Sequence, residues 1–178
     1  MKKIVLIYGL TAGFVSCLGY LISINNDNVN FENGMIYGFV SMFLAFSLIF
    51  VATNQYRKQN GGFISFGKAF LIGLYISLIA SSIYVLVWLI VLYNFHPDFM
   101  QEYTTHTLEQ LKNSGASAAE ITSKTAEMQE AVENYKNPLF VILYTYAEIL
   151  PLSIIISLIS SGIFALVSLN NKKKASTL

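Results

Sequence analysis

Apolar positions in this chain do not alternate with polar ones; they run on. Four stretches hold at most one ionisable residue each: Ile4 to Ile24, Gly34 to Thr53, Ala69 to Phe95 and Pro138 to Leu169. A helix needs about 20 mostly apolar residues to cross a hydrocarbon core of about 30 Å, and all four stretches reach that length. Barrel strands would alternate apolar and polar with period two, which these runs do not. The pattern predicts an all-α integral membrane protein with four transmembrane helices. The third and fourth runs exceed one bilayer thickness, so each should continue as helix beyond the membrane or tilt strongly.

Between the third and fourth runs the pattern changes. Residues 97–137 read as an extracytoplasmic helical hairpin with narrow apolar seams. His96-Pro97-Asp98 suits a helix start, with Pro97 at an early position where its missing N–H costs little. Met100, Tyr103, Thr107 and Leu111 then recur at helical spacing. Asn113-Ser114-Gly115 reads as a stop. Ser117 and Glu120 have the spacing of a capping box, in which hydroxyl and carboxylate satisfy backbone donors reciprocally. Ile121, Thr125, Met128, Val132 and Tyr135 form the second seam, and Asn137-Pro138 opens the fourth span. Such seams fit a two-stranded antiparallel pair. The hairpin is expected to be a solvated extension of the bundle, and a docking surface for an outer partner is the other reading.

Charge adds orientation. Of 178 residues, 54% are hydrophobic and only 12% charged, where a soluble domain carries about 25%. That abundance of apolar surface excludes disorder. A net charge of +1 argues against a nucleic-acid binder, which concentrates basic charge on one face. Lys2, Lys3, Arg57, Lys58, Lys68, Lys172, Lys173 and Lys174 all flank the spans on one side, where no acid accompanies them. The other side carries nine acids and only Lys112, Lys124 and Lys136. Lysine and arginine bias sets orientation, so both termini are expected to be cytoplasmic. At 1.5 Å per residue, Trp88 lies about 30 Å above Lys68, at the outer boundary. Tyr93, Tyr144 and Tyr146 fall near the same level, where interfacial aromatics belong.

Few residues suggest chemistry. Glu148 is the only ionisable group in an apolar run, and intramembrane carboxylates default to proton or cation sites. An interfacial or hydrogen-bonded structural role is the plainer alternative, with Tyr144, Tyr84 and Ser81 as conceivable partners. Pro151 removes one backbone donor and invites a kink. Gly62-Phe63-Ile64-Ser65-Phe66-Gly67-Lys68-Ala69 comes near a phosphate-binding loop, but Ala69 replaces the metal-liganding hydroxyl and no strand precedes it. It reads better as an interfacial entry to the third span, with Lys68 as a cytoplasmic anchor reaching the headgroups. Cys17, preceded by Gly13-Phe14-Val15-Ser16, loosely resembles a lipoprotein cleavage site. The apolar run continues past it, which favours a full span with Cys17 packed inside. His96 and His106 have no ligand neighbours at metal-binding spacing. Small residues recur every fourth position at Gly9 and Gly13, Gly34 and Gly38, Gly73, Ser77 and Ser81, and Ser153, Ser157 and Ser161. Such rows let helices approach closely in lipid, within one chain or between copies.

Several words of this sequence together resemble domain of unknown function 4199, a family of small four-span bacterial (Bacteroidetes) membrane proteins. They are Gly61-Gly62-Phe63-Ile64-Ser65-Phe66-Gly67-Lys68-Ala69-Phe70, Tyr135-Lys136-Asn137-Pro138, Glu148-Ile149-Leu150-Pro151 and Ile156-Ser157-Leu158-Ile159-Ser160. The resemblance covers nearly the whole chain. It implies an inner-membrane location and carries no known activity, substrate or catalytic residue. Leu152 departs from it, since a small residue is expected after the proline. The expectation is a non-enzymatic structural or interaction component of the cytoplasmic membrane, without cofactor, nucleotide or nucleic acid. Its partners would be the lipid bilayer and a second copy or another membrane protein. The alternative is a small transporter or ion-translocating subunit using Glu148.

Overall fold

The computed structural model describes residues 1–20 and 31–175. Among the described residues there are six α-helices and no strand: α1 (Lys2–Ser16), α2 (Phe31–Gln59), α3 (Phe66–Asn94), α4 (Phe99–Asn113), α5 (Ala118–Tyr135) and α6 (Pro138–Ala175). After α1 a tight turn at Cys17 leads into a further helical stretch at 18–20. The expected remainder of the first span, 21–24, lies outside the described residues. Lys2–Tyr20, Asn33–Gln59, Phe66–Asn94 and Pro138–Lys172 are long and apolar enough to cross a membrane. Their outward surface is apolar as well, with Phe14, Phe43, Leu86 and Leu166 between 60 and 67% exposed. Large contiguous apolar surface of this kind marks contact with something other than water. The chain is a multi-pass membrane protein.

Packing follows the small residues. α1 and α3 run parallel, with Gly9 against Ile79 and Gly13 against Ile83. α6 runs antiparallel to α3, with Ser157 against Gly73 and the Tyr146 hydroxyl 2.8 Å from that of Ser82. α2 also descends, since Gly38 near its start meets Gly19, while Arg57 near its end lies 5.6 Å from the Phe164 ring. α3 is central. It buries Ala69, Ile72, Gly73, Ile76, Ser77, Ala80, Ser81, Tyr84, Val85 and Trp88, a three-four repeat that faces its neighbours on two sides. Close approach of this kind supplies the van der Waals contact that holds helices together in lipid. Gly38 of the Gly34–Gly38 row behaves differently: a side chain there would meet nothing within 4 Å.

Most serine hydroxyls on α6 turn back to their own helix, Ser160 being the exception among the described residues. Ser153, Ser157 and Ser161 donate to Leu150 O, Ser153 O and Ser157 O at 2.9, 2.8 and 2.6 Å. Helix α6 remains continuous through Pro151.

The two ends of the bundle differ. At one end Gly61 and Gly62 take φ of +67° and +85°, which glycine adopts without strain. The Ile64 N–H donates to Ser168 Oγ at 3.0 Å, Lys172 lies 5.8 Å from the Phe63 ring, and Ser65 caps α3 by accepting from the Lys68 N–H. Arg57, Lys68 and Lys172 therefore share this end. At the other end α4 and α5 pack against each other around Met100 and Met128, both buried. α4 stops at Asn113, and Gly115 has φ of +80°. Ser117 and Glu120 form the expected capping box, with both Glu120 bonds at 2.8 Å. Pro97 falls one residue outside the expected helix start, because Asp98 is the N-cap of α4.

A candidate functional site around Glu148

Glu148 sits on α6 at a depth fixed by the α3–α6 register. With Ser157 opposite Gly73 and Tyr146 opposite Ser82, its level on α3 is the Ala80–Ser82 stretch. That is about 9–12 Å below Trp88 at 1.5 Å per residue. The carboxylate is exposed, and it opens into a cavity of about 770 Å³. Small-molecule sites usually enclose about 300–1,000 Å³.

The walls come from every part of the chain. Gly19 and Tyr20 line it after α1, and Gly34, Met35, Gly38 and Phe39 at the start of α2. α3 supplies Tyr84 and Trp88, and α6 supplies Tyr144 and Glu148. The α4–α5 pair closes the far side with Phe99, Glu102, Tyr103, Glu127, Glu130 and Tyr135. His96, in the link between α3 and α4, also lines it, and its Nε2 has no hydrogen-bond partner.

Aromatic rings form a continuous run through these walls. Tyr84 and Tyr20 have centroids 4.8 Å apart, and Tyr20 stacks on Trp88 at 5.1 Å. Phe99 meets Trp88 edge-on at 4.9 Å and stacks on Tyr103 at 6.1 Å. Offset and edge-on pairs at these separations are the favourable ones. Across the cavity Tyr135 stacks on Tyr144 at 6.0 Å, and Asn134 donates to the Tyr144 hydroxyl at 3.3 Å. The Trp88 indole N–H donates to the Tyr135 hydroxyl, joining α3 to the end of α5. Burial, and then the nearby Glu148 charge, push the Tyr135 phenol up to about 12 against that hydrogen bond.

Charge in the cavity is one-sided. Glu102, Glu127, Glu130 and Glu148 line it, and among the described residues no lysine or arginine does. Among the described residues only Glu127 of these four is ion-paired, with Lys124 at 2.7 Å. No group of three or more His, Cys, Asp or Glu among the described residues is placed to hold a metal ion.

Residues 6–165 match the family model described as a protein of unknown function, DUF4199. The chain belongs to this family. The match takes in the α4–α5 pair and the Glu148 region together, so the cavity is built wholly from DUF4199 sequence. Neither the curated proteins nor the solved structures contain a match.

In this DUF4199 chain, the structure brings together Glu148, Tyr84 and Tyr144 of the residues singled out from sequence. Ser81 is separate: it is fully buried, its hydroxyl has no partner, and it does not line the cavity. Pro151 is exposed below the cavity, and Lys68 lies exposed at the opposite end of the bundle. Cys17 is buried in the core beside α1. Sequence reasoning missed Tyr20, Phe99 and Tyr135 as site residues, and it placed Trp88 only as an interfacial anchor. The available signal was that aromatics crowd the outer ends of several segments far apart in the chain.

Proposed function

We propose that this DUF4199 protein is a non-enzymatic binding component of the bacterial cytoplasmic membrane. Both termini face the cytoplasm, and α4 and α5 form an outer hairpin over the bundle mouth. The observation that carries this reading is the cavity itself: ligand-sized, largely apolar and rich in aromatics, with a few carboxylates converging on it. Support for the orientation comes from Arg57, Lys68 and Lys172 at one end and the carboxylates of α4 and α5 at the other. Filling the cavity tests the reading. Gly38→Leu adds bulk where the wall is open, so the fold should tolerate it. Native mass spectrometry of gently extracted protein should show a bound small molecule or partner subunit on the parent chain, reduced in the variant. A bare monomer in both samples would overturn the proposal. Cysteine labelling tests the orientation: with Cys17 changed to Ser, Ser114→Cys should react with an impermeant maleimide on intact cells.

A second reading, transport of an ion or small solute, is favoured by one observation: Glu148 lies within a spanning helix yet opens into the cavity. Flux into proteoliposomes should then fall in Glu148→Gln, and identical flux in both proteins would dismiss it.

A further inference from the structure

Resting on the binding reading above, we propose that the Glu148 cavity selects lipophilic organic cations, in which a positive onium or ammonium centre is carried on an apolar body. Three features converge on this class. First, the walls are rich in aromatic rings, principally Tyr20, Trp88, Phe99 and Tyr135, and the electron-rich face of such a ring attracts a cation held over it. Second, among the described residues Glu102, Glu130 and Glu148 have no ion pair and no lysine or arginine lines the cavity. A cationic ligand would supply the missing countercharge, whereas an anion would meet like charges in a partly desolvated space. Third, about 770 Å³ is far more room than a bare metal ion fills, and most of the lining would offer it no oxygen ligand. A small inorganic cation would leave the aromatic walls unused.

Trp88 is the only tryptophan in the chain and it lines the cavity, so its fluorescence reports occupancy directly. The test titrates detergent-solubilised full-length protein with tetraphenylphosphonium and, separately, with tetraphenylborate, which has the same shape and the opposite charge. Saturable quenching by the cation alone is expected, with Kd at least tenfold higher in Glu148→Gln and in Gly38→Leu. Saturable binding of both ions with equal affinity, unchanged in Glu148→Gln, overturns the charge selection and leaves the binding reading standing. No saturable response to either ion, or quenching unaffected by Gly38→Leu, overturns both. Repeating the titration in phosphatidylglycerol nanodiscs with and without phosphatidylethanolamine separates the two sources of such a cation. Competition by that lipid identifies an ammonium headgroup as the occupant, and its absence identifies a soluble amine.

Discussion

Gly73→Ala is the substitution that most directly questions how α3 and α6 meet. A Cβ at Gly73 would stand 2.6 Å from Ser157 Oγ, 2.8 Å from Ser157 Cβ and 3.1 Å from Ile49 Cγ2. Comfortable contact between carbon atoms lies near 3.5–4.0 Å. Rotating the serine moves its Oγ away but leaves its Cβ fixed to the α6 backbone, so the two helices must part by roughly 0.7–1.2 Å. Overpacking of this kind costs about 1–3 kcal/mol, and the close backbone placement of the obstacle argues for the upper half of that range. Alanine recovers up to about 1 kcal/mol through its better helix propensity. The net expectation is a loss of about 1–2 kcal/mol. Ser157→Gly removes both obstructing atoms, so the double variant should be more stable than Gly73→Ala alone, and the pair should show a favourable coupling energy in a double-mutant cycle. Reversible unfolding in mixed micelles, followed by Trp88 fluorescence and helical circular dichroism, gives the four free energies. Gly73→Ala as stable as the parent, or additive behaviour in the cycle, would refute the claimed contact.

Four further outcomes are expected. Ser117→Ala removes the hydroxyl cap of α5 and should cost about 1 kcal/mol locally, read as faster amide exchange in its first turn. The Glu120 carboxylate is held below its usual value by hydrogen bonds from Ser117, so its contribution is present above about pH 4.5 and lost as pH falls through the lower folded value. Exchange in that turn should rise only below that point, and Glu120→Gln should flatten the profile. Tyr135, raised from 10.0 to about 12 in the folded chain, stabilises the fold fully below pH 10 and loses that contribution as pH climbs towards 12. Tyr135→Phe should reduce the alkaline loss of stability, and ultraviolet phenolate titration should show one fewer late-titrating tyrosine. In brominated-lipid bilayers Trp88 should be quenched more by bromines near the glycerol end of the chains than by those near the bilayer centre.

The long helices were legible because an uninterrupted apolar run of 20 or more residues has almost no other stable use. The α5 start was legible for a different reason: Ser117 and Glu120 need only their three-residue spacing to meet. What pairs with what was not legible. Gly9, Gly13, Gly34, Gly38 and Gly73 look alike along the chain, yet Gly9, Gly13 and Gly73 press on a neighbouring side chain while Gly38 borders open space. The cavity was hidden for the same reason. Tyr20, Trp88, Tyr135 and Glu148 lie on four separate segments, and each fits its own segment as an interfacial aromatic or a boundary carboxylate. Only the register between helices, fixed by small-residue contacts, brings them to one place. The loop at Gly61-Gly62 shows how spacing can mislead in the opposite direction. Its glycines serve two left-handed backbone positions in a turn, and the lysine that completes the phosphate-loop pattern merely follows a helix cap.

The serine hydroxyls of α6 bear on how such a protein is made. Ser153, Ser157 and Ser161 are fully buried, with Ser157 packed against Gly73, yet each donates to a carbonyl on its own helix. Ser82, Thr145 and Ser168 do the same. A hydroxyl entering hydrocarbon without an acceptor is costly, and here the acceptor travels with it. These hydroxyls thus find acceptors without any neighbouring helix, whereas the buried hydroxyls of Thr53, Ser81 and Ser160 have no partner among the described residues. On this arrangement α6 does not need the arrival of Gly73 to satisfy the Ser153, Ser157 and Ser161 hydroxyls; the contact between the two helices is one of shape.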